Sequence, residues 1–312
     1  MFQMKQKLII SAIGSMALLL ALAPICLASG NAAPYLRDGV GARSIGLGGA
    51  FTAIADDATS TIWNPAGLPA TETLDFTLSR VPMAFDSTKN FMAIVKGLGE
   101  NSSIGFSWMN VGVDDIMEVS SNNEITGNRF NYDSNALALS FGHALESFNL
   151  GASVRVLSDA VGLDAFDGVT SFGGVDVGML ARPGTSFSYG LAIRNLGGVV
   201  GDESVPILVG GGVAFHILEG HRATFACDVE HEIGILDESP TSVRMGTEYR
   251  IARTFAVRGG TQASKDRQAL FVGFGVDVGG LQLDYALKAL ERASRSLQDA
   301  GETHYVSLSY GY

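Results

Sequence analysis

From residue 71 to the end, apolar and polar side chains alternate with a period of two, and this constrains the chain more than any other feature. In "NALALSFGHA" one face carries Leu137, Leu139 and Phe141, and the other Ala138, Ser140 and Gly142. In "SFNLGASVRVL" Leu150, Val154 and Val156 oppose Asn149, Ser153 and Arg155. In "LQLDYALK" Leu281, Leu283, Tyr285 and Leu287 oppose Gln282, Asp284, Ala286 and Lys288. Period two with one greasy face is a half-buried strand. About fourteen such segments follow one another, the first centred near Phe76 and the last near Leu308. Each runs roughly 9–12 residues, which suits a tilted bilayer-crossing strand better than the roughly 5–6 residues common in soluble sheets.

The connections are sorted. Residues 98–101, 145–147, 182–185, 218–221, 252–253 and 279–280 are minimal. Between them, 112–131, 158–169, 197–204, 233–240, 261–268 and 289–302 read as longer polar loops, after a short first loop around Asp86. Tight turns on one rim and long loops on the other are the habit of an outer-membrane barrel. The expected fold is therefore all-β: a transmembrane antiparallel β-barrel of about fourteen strands. Composition agrees. Glycine reaches 39 residues while charged residues are only 17%, as many strands and tight turns require.

Lys5 and Lys7 precede an apolar run over residues 8–23, with small residues at Ala28, Ser29 and Gly30. That is the layout of an export signal, with cleavage expected near Ala28. Residues 1–28 are thus read as signal peptide, 29–70 as a separate N-terminal segment and 71–312 as the barrel. Without the signal only Cys227 remains, which leaves no intramolecular disulfide. The chain ends with Val306, Leu308, Tyr310 and Tyr312 on one face. This resembles the terminal signal that outer-membrane barrels present to the barrel-assembly machinery.

If apolar faces meet lipid, the charges between them point into the lumen or sit at a rim. Arg155, Asp176, Arg194, Asp228, Arg244, Glu248, Arg258, Asp277 and Asp284 all fall this way, with Arg182, Glu230, Arg250 and Lys288. A charge facing the bilayer centre costs about 2–4 kcal/mol, so the sorting supports the assignment. Both signs occur, which suggests ion pairs across the lumen. Arg155 and Arg244 are expected to tolerate substitution by Gln.

The five histidines lie on different segments and no Ser-His-Asp grouping can be placed. Neither an enzyme, a cofactor nor a metal site is expected. A formal charge of -11 speaks against a nucleic-acid partner.

Ahead of the strands stands "GLGGAFTAIADDATSTIWNPAGLP", residues 46–69. Asn64-Pro65-Ala66-Gly67 reads as a type I turn, and Asp56 or Asp57 can cap a short helix ending at Trp63. Glycine-rich as it is, no strand precedes Gly46, Gly48 and Gly49 and no lysine follows, so a phosphate cradle is unsupported. With so little apolar surface, the segment is expected inside the lumen.

This stretch, residues 41–68, resembles the FadL-type outer-membrane transport proteins, which share the Gly-rich run, an Ala-Asp-Asp-like step and an Asn-Pro-Ala motif. The resemblance implies a hatch plugging a fourteen-stranded barrel, with Asp56, Asp57, Asn64, Pro65, Ala66 and Gly67 among its residues. The longest loop has only about twenty residues, which is similar to the shorter PorV/PorQ-like branch. Two functions follow as expectations: passive transport of a hydrophobic, fatty-acid-like molecule, or a barrel that docks secreted proteins or secretion-machinery subunits. Outer-membrane lipid is the expected surround in either case.

Overall fold

A computed structural model describes residues 32–83, 87–120, 122–123, 125–162, 169–217, 222–234, 240–252, 254–265, 267–293 and 302–311. The expected signal peptide, the turn near Asp86, His221 and Tyr312 lie outside them.

Fourteen antiparallel strands close into a barrel, and two more form a small hairpin. In chain order the strands are β1 (Leu74–Pro82), β2 (Ser87–Gly97), β3 (Ser102–Val119), β4 (Ile125–Ala144), β5 (Asn149–Gly162), β6 (Val169–Ala181) and β7 (Phe187–Leu196). Next come the hairpin β8 (Val199–Val200) and β9 (Glu203–Ser204). The ring resumes with β10 (Ile207–Ile217), β11 (Ala223–Ile233), β12 (Thr241–Ile251), β13 (Phe255–Ser264), β14 (Arg267–Val278), β15 (Leu281–Ala293) and β16 (Thr303–Gly311). Each ring strand pairs with its chain neighbour, and β1 closes on β16 with Leu78 opposite Leu308 and Phe76 opposite Tyr310. Closure leaves no free edge, the condition for a sheet to cross a bilayer.

The two faces separate as the alternation requires. Leu139 is 58% exposed on the outside, whereas Arg155 is 2% exposed within. Val306 and Leu308 face outward, and Tyr310 stacks on Phe76 at 6.1 Å. An apolar outer belt over a polar inner wall is the surface of a membrane-spanning barrel. Inward positions favour small residues such as Ala93, Ala138, Ala214 and Ala286, which leaves room at the centre.

Two loop expectations change. Most of residues 112–131 is strand, because β3 and β4 go on pairing through Ile116–Phe130 and Val119–Ile125. A ladder can outrun the membrane when its residues remain good strand formers. Residues 261–268 also belong mostly to β13 and β14, with Gln262 opposite Ala269 and Ala263 opposite Gln268. These residues are polar because they stand near the rim. On the long-loop rim β13 therefore ends at Ser264 and β14 begins at Arg267.

Candidate functional site

Residues 32–70 fold into four short helical pieces: 3-10 turns at Pro34–Leu36 and Pro65–Ala70, and single helical turns α1 (Ala42–Gly46) and α2 (Ser60–Trp63). Asp57 Oδ1 accepts from the Thr59 backbone N–H at 2.9 Å just ahead of α2, but the N-cap position is Thr59 and carries no side-chain cap bond, so neither Asp56 nor Asp57 caps the helix as expected. Asn64 turns extended before Pro65, as a pre-proline residue must, and ends that helix. Gly67 N–H then donates to Asn64 O at 2.9 Å, the hydrogen bond expected of the type I turn. The turn does not stop there but continues as the 3-10 turn.

This N-terminal segment touches strands on opposite sides of the ring. Leu68 and Pro69 meet β4 at Gly142, while Leu47 and Gly48 meet β12 and β13 at Gly246 and Gly260. β4 and β13 stand seven places apart among fourteen. Inward glycines make the seats. A Cβ on Gly178 would lie 2.0 Å from Asn64 Oδ1, and one on Gly190 would lie 2.3 Å from Thr52 O. Glycine inside a strand marks close approach of another backbone, and that signal was available in the sequence. Gly48 has φ +67° as well, and Gly67 is glycine for want of space, since its Cβ would lie 1.9 Å from Ala55 O.

Polar contacts fix the seating. Asn64, fully buried, donates from Nδ2 to Thr52 O at 2.9 Å and to Met179 O of β6 at 3.2 Å, and accepts from Ala66 N–H. Asp228 Oδ2 accepts from the backbone N–H groups of Phe51 and Thr52 at 2.9 and 2.8 Å. Ser188 Oγ donates to Ala53 O, and Arg182 at the turn rim donates to Ile54 O. Lys89, absent from the sequence expectations, is buried and donates to the carbonyls of Tyr35, Asp38 and Gly39.

The inward charges form ion pairs along the wall, not across the lumen as the mixed signs suggested. Arg155 pairs with Asp176 on the adjacent strand at 2.5 Å and also donates to Asn195. Arg194 and Arg244 share Glu230, and Arg194 reaches it past Gly210 on the intervening β10. Arg258 pairs with Glu248 and, over Gly275 of β14, with Asp284, each at 2.6 Å. A side chain on the middle strand would block such a bridge, so glycine there lets a pair span three strands. Asp277 stands apart at the rim, accepting from Gly280 N–H in the β14–β15 turn.

Arginines also join wall and segment electrostatically. The Arg194 and Arg244 guanidinium groups each lie over the Trp63 ring, at 5.9 and 5.7 Å, as cation–π contacts. Arg43 joins Glu248 at 3.4 Å to Asp56 at 2.6 Å and Asp57 at 3.0 Å. Burial opposes ionisation of Asp56, but the Arg43 guanidinium outweighs it and holds that carboxyl below its ordinary value. For Asp57 burial prevails, reinforced by the Asp56 charge, and its pKa is raised.

Between the segment and the β10–β16 wall lies a cavity of about 460 Å³, opening toward the long-loop rim. Trp63, Ile45, Leu208, Phe271 and Tyr305 form its apolar side. Among the described residues no cluster of His, Cys, Asp and Glu could hold a metal.

The barrel matches solved channels along nearly their whole length. The Ralstonia pickettii toluene transporter TbuX shares 15% identity at a TM-score of 0.66, covering 88% of this chain and 98% of its own. The Pseudomonas putida toluene transporter TodX shares 13% at 0.60, covering 88% and 99%. A Pseudomonas aeruginosa FadL homologue shares 10% at 0.57, covering 88% and 98%. The chain has the FadL-type barrel fold. The apolar belt of this FadL-type barrel fits a bacterial outer membrane. No family model matches the sequence, and no curated protein does.

Proposed function

We propose that this protein is a passive outer-membrane conduit for a hydrophobic small molecule, with residues 32–70 as its hatch. One observation carries the reading: a segment spanning the ring is held by discrete hydrogen bonds and glycine seats, beside a cavity of ligand size. Apolar packing shares the seating, with Leu47, Phe51 and Leu68 buried in one cluster with the wall residues Val95, Met109 and Leu157, while the contacts through main-chain carbonyls and shared carboxylates can be exchanged for water. The likeness to toluene transporters supports a hydrophobic cargo. The hatch residues are Gly46, Gly48, Gly49, Asp56, Asp57, Trp63, Asn64, Pro65, Ala66 and Gly67, and the wall charges position them. The barrel-assembly machinery would read the last strand, with Val306, Leu308 and Tyr310 on its outward face.

Entry of radiolabelled dodecanoate, of toluene and of cyclohexylmethanol into cells with and without the protein tests this. Faster entry of any of them supports transport. Equal rates, with secreted proteins co-purifying on the barrel, would instead favour the PorV/PorQ-like docking role.

A further inference from the structure

We infer that the cavity beside Trp63 binds an uncharged molecule with a compact apolar body and one hydrogen-bonding substituent. The inference deepens the transport reading and rests on it for the ligand's passage, although the binding itself does not require flux.

Charge decides the class. Each cationic side chain lining the cavity already has a carboxylate: Arg37 with Glu232 at 2.5 Å, Arg244 with Glu230 at 2.6 Å, and Lys288 and Arg267 with Glu291 at 2.6 and 3.2 Å. An anionic ligand would have to displace a carboxylate from one of these pairs. A cationic ligand would have to compete with a guanidinium or ammonium. The remaining carboxylate, Asp38, is exposed, where water screens it. A charged ligand thus exchanges one ion pair for another and loses its own hydration.

A pure hydrocarbon also fits poorly, because it would strip water from the polar side without replacing its hydrogen bonds. The remaining polar groups there are neutral. Ser242, Gln262 and Tyr305 line the cavity and present a hydroxyl, an amide and a phenol that take no part in these ion pairs. Tyr305 belongs to both sides, because it packs against the apolar cluster that holds Phe271 and Trp63 and carries a hydroxyl to offer. A hydroxyl or amide on an apolar ring would satisfy these groups and cover the apolar side together. A site with buried hydrogen-bonding groups discriminates against the analogue that lacks the partner.

The test uses the full protein in detergent with Trp108→Phe, which leaves Trp63 as the sole tryptophan. Trp63 emission is titrated with cyclohexylmethanol, methylcyclohexane, cyclohexanecarboxylate and cyclohexylmethylammonium. Cyclohexylmethanol should saturate with a Kd about 10-fold below the other three. Tyr305→Phe and, separately, Gln262→Ala should weaken it several-fold while leaving methylcyclohexane unchanged. Heat-modifiable mobility verifies that each variant is folded, and the variant comparison cancels partition into the micelle. Tightest binding by the hydrocarbon or by either ion would overturn the inference, as would an alcohol affinity indifferent to both variants. Selective alcohol binding without any cellular uptake would retire the transport reading alone.

Discussion

Asn64 shows what a single side chain must do here. It needs a donor for two carbonyls and an acceptor for one N–H, and only an amide of that length supplies both. Asn64→Asp keeps the shape but turns the donors into acceptors facing Thr52 O and Met179 O. It should loosen residues 32–70, read as faster cleavage of the segment by protease, with the barrel band unchanged on gels. The wall arginines are not equivalent, and burial reverses the expectation that both tolerate Gln. Arg155→Gln leaves Asp176 buried without a cation and should cost about 3–5 kcal/mol in urea unfolding. Arg244→Gln should cost clearly less, because Arg194 still holds Glu230. On the outer face Leu139→Arg should cost about 2–4 kcal/mol. Equal effects at Arg155 and Arg244 would mean that shared pairing does not buffer the wall.

Among the elements, strands were legible and their ends were not. Alternation is a property of each strand alone, so all fourteen and the faces of Leu139, Arg155 and Arg244 could be read directly. Where β3 and β4 stop depends on their pairing with each other, which no local pattern reports. The same limit applied to the site. The Asn-Pro-Ala-Gly turn is local and visible, while the pairing of Arg194 with Glu230 past a glycine-bearing strand needs the register. The inward glycines were visible but lacked a partner until the segment was in place. Arg43 ties α1 to Asp56 and Asp57, and pH should report this. With its folded pKa lowered, Asp56 contributes stability above its ordinary value near 3.8, lost as pH falls through the folded value. Asp57, raised, works in the opposite sense, costing stability as pH rises above that ordinary value. Arg43→Gln removes the cation from both, so the segment should become more protease-sensitive at pH 8 than at pH 5. An unchanged pH profile would place that cation outside the seating.

For the whole molecule, the ring and its contents are separable by construction. Ladder hydrogen bonds run between wall strands, and residues 32–70 contribute none of them. The segment instead fills the space that small inward residues leave, so its removal should open a path without opening the sheet. The decisive measurement is single-channel conductance in planar bilayers for the intact protein and for a variant lacking residues 32–70, each verified as a heat-modifiable barrel. A closed or low-conductance intact protein and a persistently open, several-fold more conductive deletion variant are the expected result. Equal conductance from two folded barrels would contradict it, and would mean that the segment does not obstruct the lumen.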